Sequence, residues 1–152
     1  MPILIDGHNL IGRMPQLSLA DPDDEESLAR LLVAYAARVG KKVTVVFDPG
    51  DAFKLPSTHR LGRVEAVFAG QGSTADALIG RRVDRSPNPG EWLVVTSDQR
   101  LADRVARRGA RTRSAEAFAE EMGAALESAP ERGQGPLSPD EVRHWLQLFK
   151  SR

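Results

Sequence analysis

The sequence predicts an α/β fold, a Rossmann-like parallel β-sheet of about 4–5 strands with helices on both faces and one further helix at the carboxyl end. Three observations predict it. Short β-branched runs alternate with stretches of helical periodicity. The runs are nearly continuously apolar, as strands buried on both faces are. Several of them stop at an aspartate. Alternation of this kind implies right-handed crossovers and a helix layer on each side of the sheet.

The chain opens with Ile3-Leu4-Ile5, an apolar run ending at Asp6. The acidic segment Asp21 to Glu26 precedes a helix expected over about Ser27–Val39. In it Leu28, Leu31, Leu32, Tyr35 and Val39 share one face. The acids suit the helix's positive amino end, and Gly40 stops it. Val43-Thr44-Val45-Val46-Phe47 has the pattern of a central strand and closes on Asp48. A loop is expected from Pro49 to about Arg63, carrying Lys54, His59, Arg60 and Arg63. Val64 to Ala69 reads as the next strand, broken by Gly70-Gln71-Gly72, and Ser73 or Thr74 can cap a helix to about Val83.

After a turn-rich connection over Ser86 to Gly90, Trp92-Leu93-Val94-Val95-Thr96 reads as another buried strand, closing on Ser97-Asp98. A helix over Gln99 to Arg108 stops at Gly109. Arg111 to Arg113 makes a short last strand, and Ser114 caps a helix to about Leu126. Residues 127–137 read as a linker between a principal domain, 1–126, and a terminal amphipathic helix, 138–152. That helix opens with Ser138-Pro139-Asp140-Glu141, a capping box with proline at the first helical position. Its apolar face, Val142, Trp145, Leu146 and Phe149, has to be buried, on its own domain by preference and otherwise on a partner.

Composition narrows the function. With no cysteine in 152 residues, disulfides and thiolate metal sites are excluded, which fits a reducing cytoplasm. No apolar run approaches the roughly 20 residues of a membrane span, and no basic stretch precedes an apolar core at the amino terminus. A cytoplasmic protein without membrane attachment is expected. Net charge is zero, yet residues 81–113 hold 9 basic and 4 acidic side chains, a local excess of +5. A nucleic-acid partner needs such a positive region. Arginines solvating helix faces give the same count.

Asp6, Asp48 and Asp98 each close a strand candidate, and Asp76 lies in the first turn of the helix after another. In a parallel sheet, ligands bind beyond the carboxyl ends of the strands, so these four acids gather at one edge. Singly, an aspartate after a strand is a turn former or helix cap. Four together repel, and a cation is the chief reason to keep them. Without cysteine, the donors on offer are oxygens, which favour Mg²⁺ or Mn²⁺ over zinc. Hydrolysis of a phosphodiester is the natural chemistry of such a site.

Other motifs are weaker. Gly70-Gln71-Gly72-Ser73-Thr74 lacks the lysine of a phosphate-binding loop. No serine has a Gly-x-Ser-x-Gly context. The three histidines are dispersed. His8, placed in the first loop, suits local hydrogen bonding better than substrate contact, and His144 suits the surface.

Ile5-Asp6-Gly7-His8-Asn9-Leu10-Ile11 resembles the opening motif of NYN domains, a branch of the PIN-like nuclease superfamily. Val45–Asp48, Val67–Asp76 and Val95–Asp98 resemble the bacterial YacP-like subgroup in the same order, and Arg113-Ser114-Ala115-Glu116 resembles a stretch near its last helix. The resemblance spans roughly residues 3–122. It implies a divalent-metal centre and endoribonuclease activity, in some members on messenger RNA at the ribosome. By the same resemblance Asp6, Asp76 and Asp98 are metal-binding acids. Asn9 supports the first acid or contacts the scissile phosphate, and Asp48 is a less constant acid behind the ligands. Related domains place a further acid one helical turn after the strand-end aspartate. Here that position is Ala102, and Asp103 falls one residue late, about 100° around the helix.

The same layout suggests an RNA surface of Arg81, Arg82, Arg85, Arg100 and Arg104, with the loop of Lys54, Arg60 and Arg63 closing over the aspartate edge. Such side chains grip phosphates and carry little sequence information. Aromatic residues, at 5%, are too few for a base-stacking theme. The expected function is therefore metal-dependent RNA hydrolysis. An RNA- or ribosome-binding module with weak catalysis and a small-molecule phosphatase are the alternatives.

Overall fold

Alternate strand residues face opposite ways, and each face of the sheet here carries its own apolar core. The structure is a computed structural model that describes residues 1–14, 17, 23–49, 57–70, 72–128 and 139–150. Along the chain run β1 (Ile3–Asp6), α1 (Gly7–Ile11), α2 (Asp24–Val39), β2 (Val43–Phe47), β3 (Ser57–Leu61), β4 (Val64–Phe68) and α3 (Ala75–Arg85). Then follow β5 (Leu93–Val95), α4 (Gln99–Arg107), β6 (Arg111–Arg113), α5 (Ala115–Ser128) and α6 (Pro139–Lys150).

The sheet order is β3-β4-β2-β1-β5-β6. Every pairing is parallel except β3 with β4. The expected α/β architecture is present, with six strands where four or five were read. The additional strand is β3, in the segment read as loop. Its sequence Ser-Thr-His-Arg-Leu is polar and half-exposed, as befits an edge strand with solvent on one flank.

Ile3, Ile5, Val43, Val45, Phe47, Ala66, Phe68 and Val95 point to the side covered by α1, α2, α5 and α6. Leu4, Val46, Val67 and Val94 point to the side covered by α3 and α4, where Ile79, Val83, Leu101 and Val105 meet them. Trp145, Leu146 and Phe149 of α6 are buried in the first core. The Phe149 ring lies 6.3 Å from Phe47, 5.2 Å from Phe68 and 5.1 Å from Trp145. Burying each such side chain is worth about 1.5–3 kcal/mol, enough to hold a twelve-residue helix on the domain. Its apolar face is thus covered by its own chain. Ser138 and most of the 127–137 linker lie outside the described residues.

One glycine is set by a close approach. A Cβ on Gly7 would come within 2.5 Å of the Phe47 ring and 3.0 Å of the Val46 carbonyl. Gly7 starts α1 directly after Asp6, so its smallness fixes how tightly that acid sits on β2. The Gly7→Ala substitution is expected to lower unfolding free energy by about 1–3 kcal/mol, read from urea denaturation midpoints. An unchanged midpoint would show that Phe47 can move aside freely.

Candidate active site

Parallel strands β1, β2 and β5 end on the same side of the sheet, which brings Asp6, Asp48 and Asp98 to one edge. α3 begins at that edge too, so Asp76 joins them from its first turn. Asp6 is only 6% exposed. Asp76 lies within hydrogen-bonding reach of Asp6 on one side and of Asp98 on the other. The three residues expected to form one centre therefore meet, in the order Asp6–Asp76–Asp98.

Crowded carboxylates repel, and their proton affinities record it. Burial, then the charges of Asp76 and Asp48 and the contact with Asp76, push Asp6 from 3.8 up to about 7, while the Asn9 backbone N–H pulls the other way. Asp76 is raised by burial and by Asp98. Among the described residues no lysine or arginine forms an ion pair with Asp6, Asp76 or Asp98.

The neighbouring groups position these acids. Thr96, 3% exposed, donates its hydroxyl to Asp6 Oδ2 at 3.4 Å and accepts the Asp98 N–H at 3.1 Å, tying the first acid to the last. Asp98 also caps α4, its Oδ1 accepting from the Arg100 N–H at 3.0 Å and the Leu101 N–H at 3.4 Å. Asn9 Oδ1 accepts the Ser97 N–H at 2.7 Å. The Asn9 side chain thus holds the loop that carries Asp98, while its backbone N–H bonds the first acid, Asp6. The Ser97 hydroxyl in turn donates to Glu116 and accepts the Ala115 N–H at 2.9 Å.

Asp48 stands behind the cluster. Its Oδ1 accepts the Ala75 N–H at 2.8 Å, which anchors the start of α3 beside Asp76. Its Oδ2 is 3.4 Å from His8 Nδ1, and His8 Nε2 is 2.8 Å from Glu25. Burial opposes a charge on His8, but Asp48 and Glu25 outweigh it and raise the imidazole to about 9. The same His8 contact, with the Ala75 N–H, holds Asp48 below its ordinary range against burial. His8 thus hydrogen-bonds to Asp48 and Glu25, both distant in sequence, from a helix and not from a loop. His144 is exposed on α6.

The expected basic residues divide between the two ends of the sheet. A groove of about 400 Å³ beside the acids is lined by Thr74, Asp76, Asp98, Arg100, Leu101 and Arg104. Arg104 reaches Asp84 at 2.8 Å, and its guanidinium lies where a Cβ on Gly80 would stand. Arg81 points back to the Ser73 hydroxyl at 3.5 Å. Arg60, Arg63 and Arg82 instead line a second cavity at the amino ends of the strands, with Pro2, Lys42 and Trp92. The expectation that Arg60 and Arg63 close over the aspartate edge is corrected by the β3–β4 hairpin, whose Gly62-Arg63 turn faces the other way. Arg85 ends α3 at the end remote from Asp76. Lys54 lies outside the described residues.

The donor set is all oxygen, which suits Mg²⁺ or Mn²⁺. Asp6 is buried and raised, Asp76 is raised beside it, and among the described residues neither they nor Asp98 pair with a lysine or arginine, so a divalent ion would balance them. They touch in a chain: among the described residues no three acids or histidines already converge around a cation-sized point. The donors thus fit such an ion by chemistry and proximity, with one or two carboxylates and several waters as its shell.

A family described as the YacP-like NYN domain matches residues 3–141. A curated Bacillus subtilis (strain 168) protein, "Uncharacterized protein YacP", is 32% identical over 101 residues, 63% of this chain and 59% of that protein. The aligned part thus spans less than two thirds of that relative. Crystal structures of Rae1 (YacP) from Bacillus subtilis are similar at 28% identity, one with a TM-score of 0.68 over 82% of this chain and 75% of that one. A second, of a mutant, gives 0.66 over 82% and 76%.

Proposed function

Because this chain belongs to the YacP-like NYN domain family, within the PIN-like nucleases, we propose that it is a metal-dependent endoribonuclease that hydrolyses RNA phosphodiesters at Asp6, Asp76 and Asp98. The observation that carries the reading is the meeting of these three acids, distant in sequence, at the carboxyl edge of the sheet. Asp6, Asp76 and Asp98 would hold Mg²⁺ or Mn²⁺. Bound there, the ion would supply an activated water and charge stabilisation for an in-line displacement.

The chain's own groups do the rest. Thr96 and Asn9 fix Asp98 relative to Asp6. Asp48 fixes α3, and with it Asp76. Arg100 and Arg104 flank the acids in the same groove and are placed to hold phosphates next to the reacting one. Messenger RNA presented by the ribosome is the substrate we propose, on the strength of the family resemblance. No helix among the described residues is long and apolar enough to cross a membrane.

A second reading, an RNA-binding module with weak turnover, is favoured by Ala102 at the place of the helical-turn acid and by the lack of a converged set of three ligands. End-labelled single-stranded RNA incubated with Mn²⁺, Mg²⁺ or chelator separates the two. Internal cleavage with metal and none with chelator is expected. Binding without cleavage in any condition would establish the module instead. Hydrolysis of small phosphate esters with RNA left intact would establish a phosphatase.

A further inference from the structure

The cavity at the amino edge of the sheet has a composition that the reaction at the opposite edge leaves unused. It measures about 380 Å³, a size suited to a small ligand or part of a larger one. Lys42, Arg60, Arg63 and Arg82 line it against a single carboxylate, Glu65, so its wall carries a net charge of +3. Glu65 holds two of the cations in place: Arg60 Nη2 bonds its Oε2 at 2.8 Å and Arg82 Nη1 its Oε1 at 2.8 Å. The Thr44 hydroxyl donates to the same carboxylate at 3.3 Å.

Lys42 and Arg63 are exposed at the mouth, with no ion-pair partner among the described residues. Their backbones are fixed nonetheless, since the Lys42 carbonyl accepts the Ile3 N–H at 2.9 Å and the Arg63 carbonyl the Val43 N–H at 2.8 Å. Trp92 brings an aromatic wall, and its indole N–H is buried without an acceptor. Preorganised guanidiniums and two further cations on one wall make an anion site, and the anion with several oxygens that arginine forks match is a phosphate.

We propose that this cavity binds a backbone phosphate of the RNA strand whose scissile bond lies at the aspartate edge. The inference rests on the nuclease reading and extends it to a second contact. α3 connects the two places, with Asp76 in its first turn and Arg82 in its last turns. β2 has 5 residues, so the edges are about 15 Å apart, a few nucleotides of extended strand. Beside α3 the sheet presents Thr58 and Arg60 of the edge strand to solvent, on the face that also bears Glu65. Among the described residues, Thr58 and Arg60 leave that flank open between the aspartates and the cavity.

The test measures binding, so it is independent of turnover. In Asp98→Asn protein, Lys42→Ala with Arg63→Ala is compared with its parent, using a labelled single-stranded RNA of about 10 nucleotides and a dinucleotide. The double substitution is expected to weaken the longer RNA about 10-fold and to reduce its salt slope by about 0.7, the share of one neutralised phosphate. The dinucleotide, too short to span both edges, should bind equally to both proteins. In a Trp145→Phe background Trp92 is the one remaining tryptophan, and its emission should change with the longer RNA only.

Unchanged affinity and slope would overturn the proposal, as would equal weakening of both oligonucleotides, which signals a general field and no distinct site. A mononucleotide that alters Trp92 emission while the longer RNA does not would assign the cavity to a free nucleotide and remove it from the RNA path. Failure of the nuclease reading shows elsewhere, as wild-type protein that binds RNA and does not cleave it with either metal.

Discussion

Replacing Asp98 with asparagine is expected to lower metal-stimulated RNA cleavage by about 100-fold or more while leaving the fold in place. The reason lies in the two jobs of this side chain. As a cap it accepts the Arg100 and Leu101 N–H groups through one oxygen, and asparagine caps a helix about as well as aspartate. As part of the acidic cluster it contributes a negative charge against Asp76, which an amide does not. The substitution therefore removes charge with little loss of structure. A thermal midpoint within a few degrees of wild type, together with the fall in rate, is the expected pair of results. A variant that folds normally and retains more than a tenth of the rate would remove Asp98 from the metal-holding set.

The parts of this site that are legible in the sequence are those with a local signature. Asp6, Asp48 and Asp98 end apolar runs, and a run that stops at a carboxylate locates the acid on a strand end whatever the strand order. Asp76 follows a capping threonine, and Thr74 does accept the Ala77 N–H at 3.1 Å. Parallel pairing, inferred from alternation with helices, then dictates that all four share an edge.

What the sequence hides is partnership across distance. The contact of Thr96 with Asp6 joins residues 90 positions apart, and that of Asn9 with Ser97 joins residues 88 apart. No periodicity encodes either. Glu25 and His8 meet across 17 residues because α1 and α2 pack, and α1, at 5 residues, is too short to show a helical pattern. The placement of Arg60 and Arg63 is hidden for a different reason. Their segment has no apolar run, since one flank of β3 faces solvent, so a strand looked like a loop. Once Ser57–Leu61 pairs antiparallel with β4, the hairpin turn is carried to the amino edge and the two arginines go with it.

Freed of divalent ions, the protein should become less stable as pH rises from about 4 to about 7, and Mn²⁺ should reverse that trend. Asp6 is raised from 3.8 to about 7 in the fold, by burial first and by its acidic neighbours second. A raised carboxyl means that the folded state holds the proton over this window while the unfolded chain releases it. Its contribution is therefore most favourable below pH 4 and is lost as pH rises through 7. The full span is worth up to about 4 kcal/mol. His8, raised to about 9, stabilises fully below its unfolded 6.5 and loses that contribution as pH rises through 9, so its slope has the same sign but a later window.

Asp6→Asn separates the two. In chelator near pH 7.5 the variant should melt about 5 °C or more above wild type, with the slope between pH 4 and 7 removed and the His8 slope intact. Saturating Mn²⁺ binds the deprotonated carboxylates, so wild type should gain stability with pH up to about 7 and the variant should respond weakly. Thermal melts at several pH values, with and without metal, read all of this. A wild-type profile flat from pH 4 to 7 in chelator would mean that Asp6 is not an uncompensated buried acid, and the case for a cation at this edge would lose its electrostatic ground.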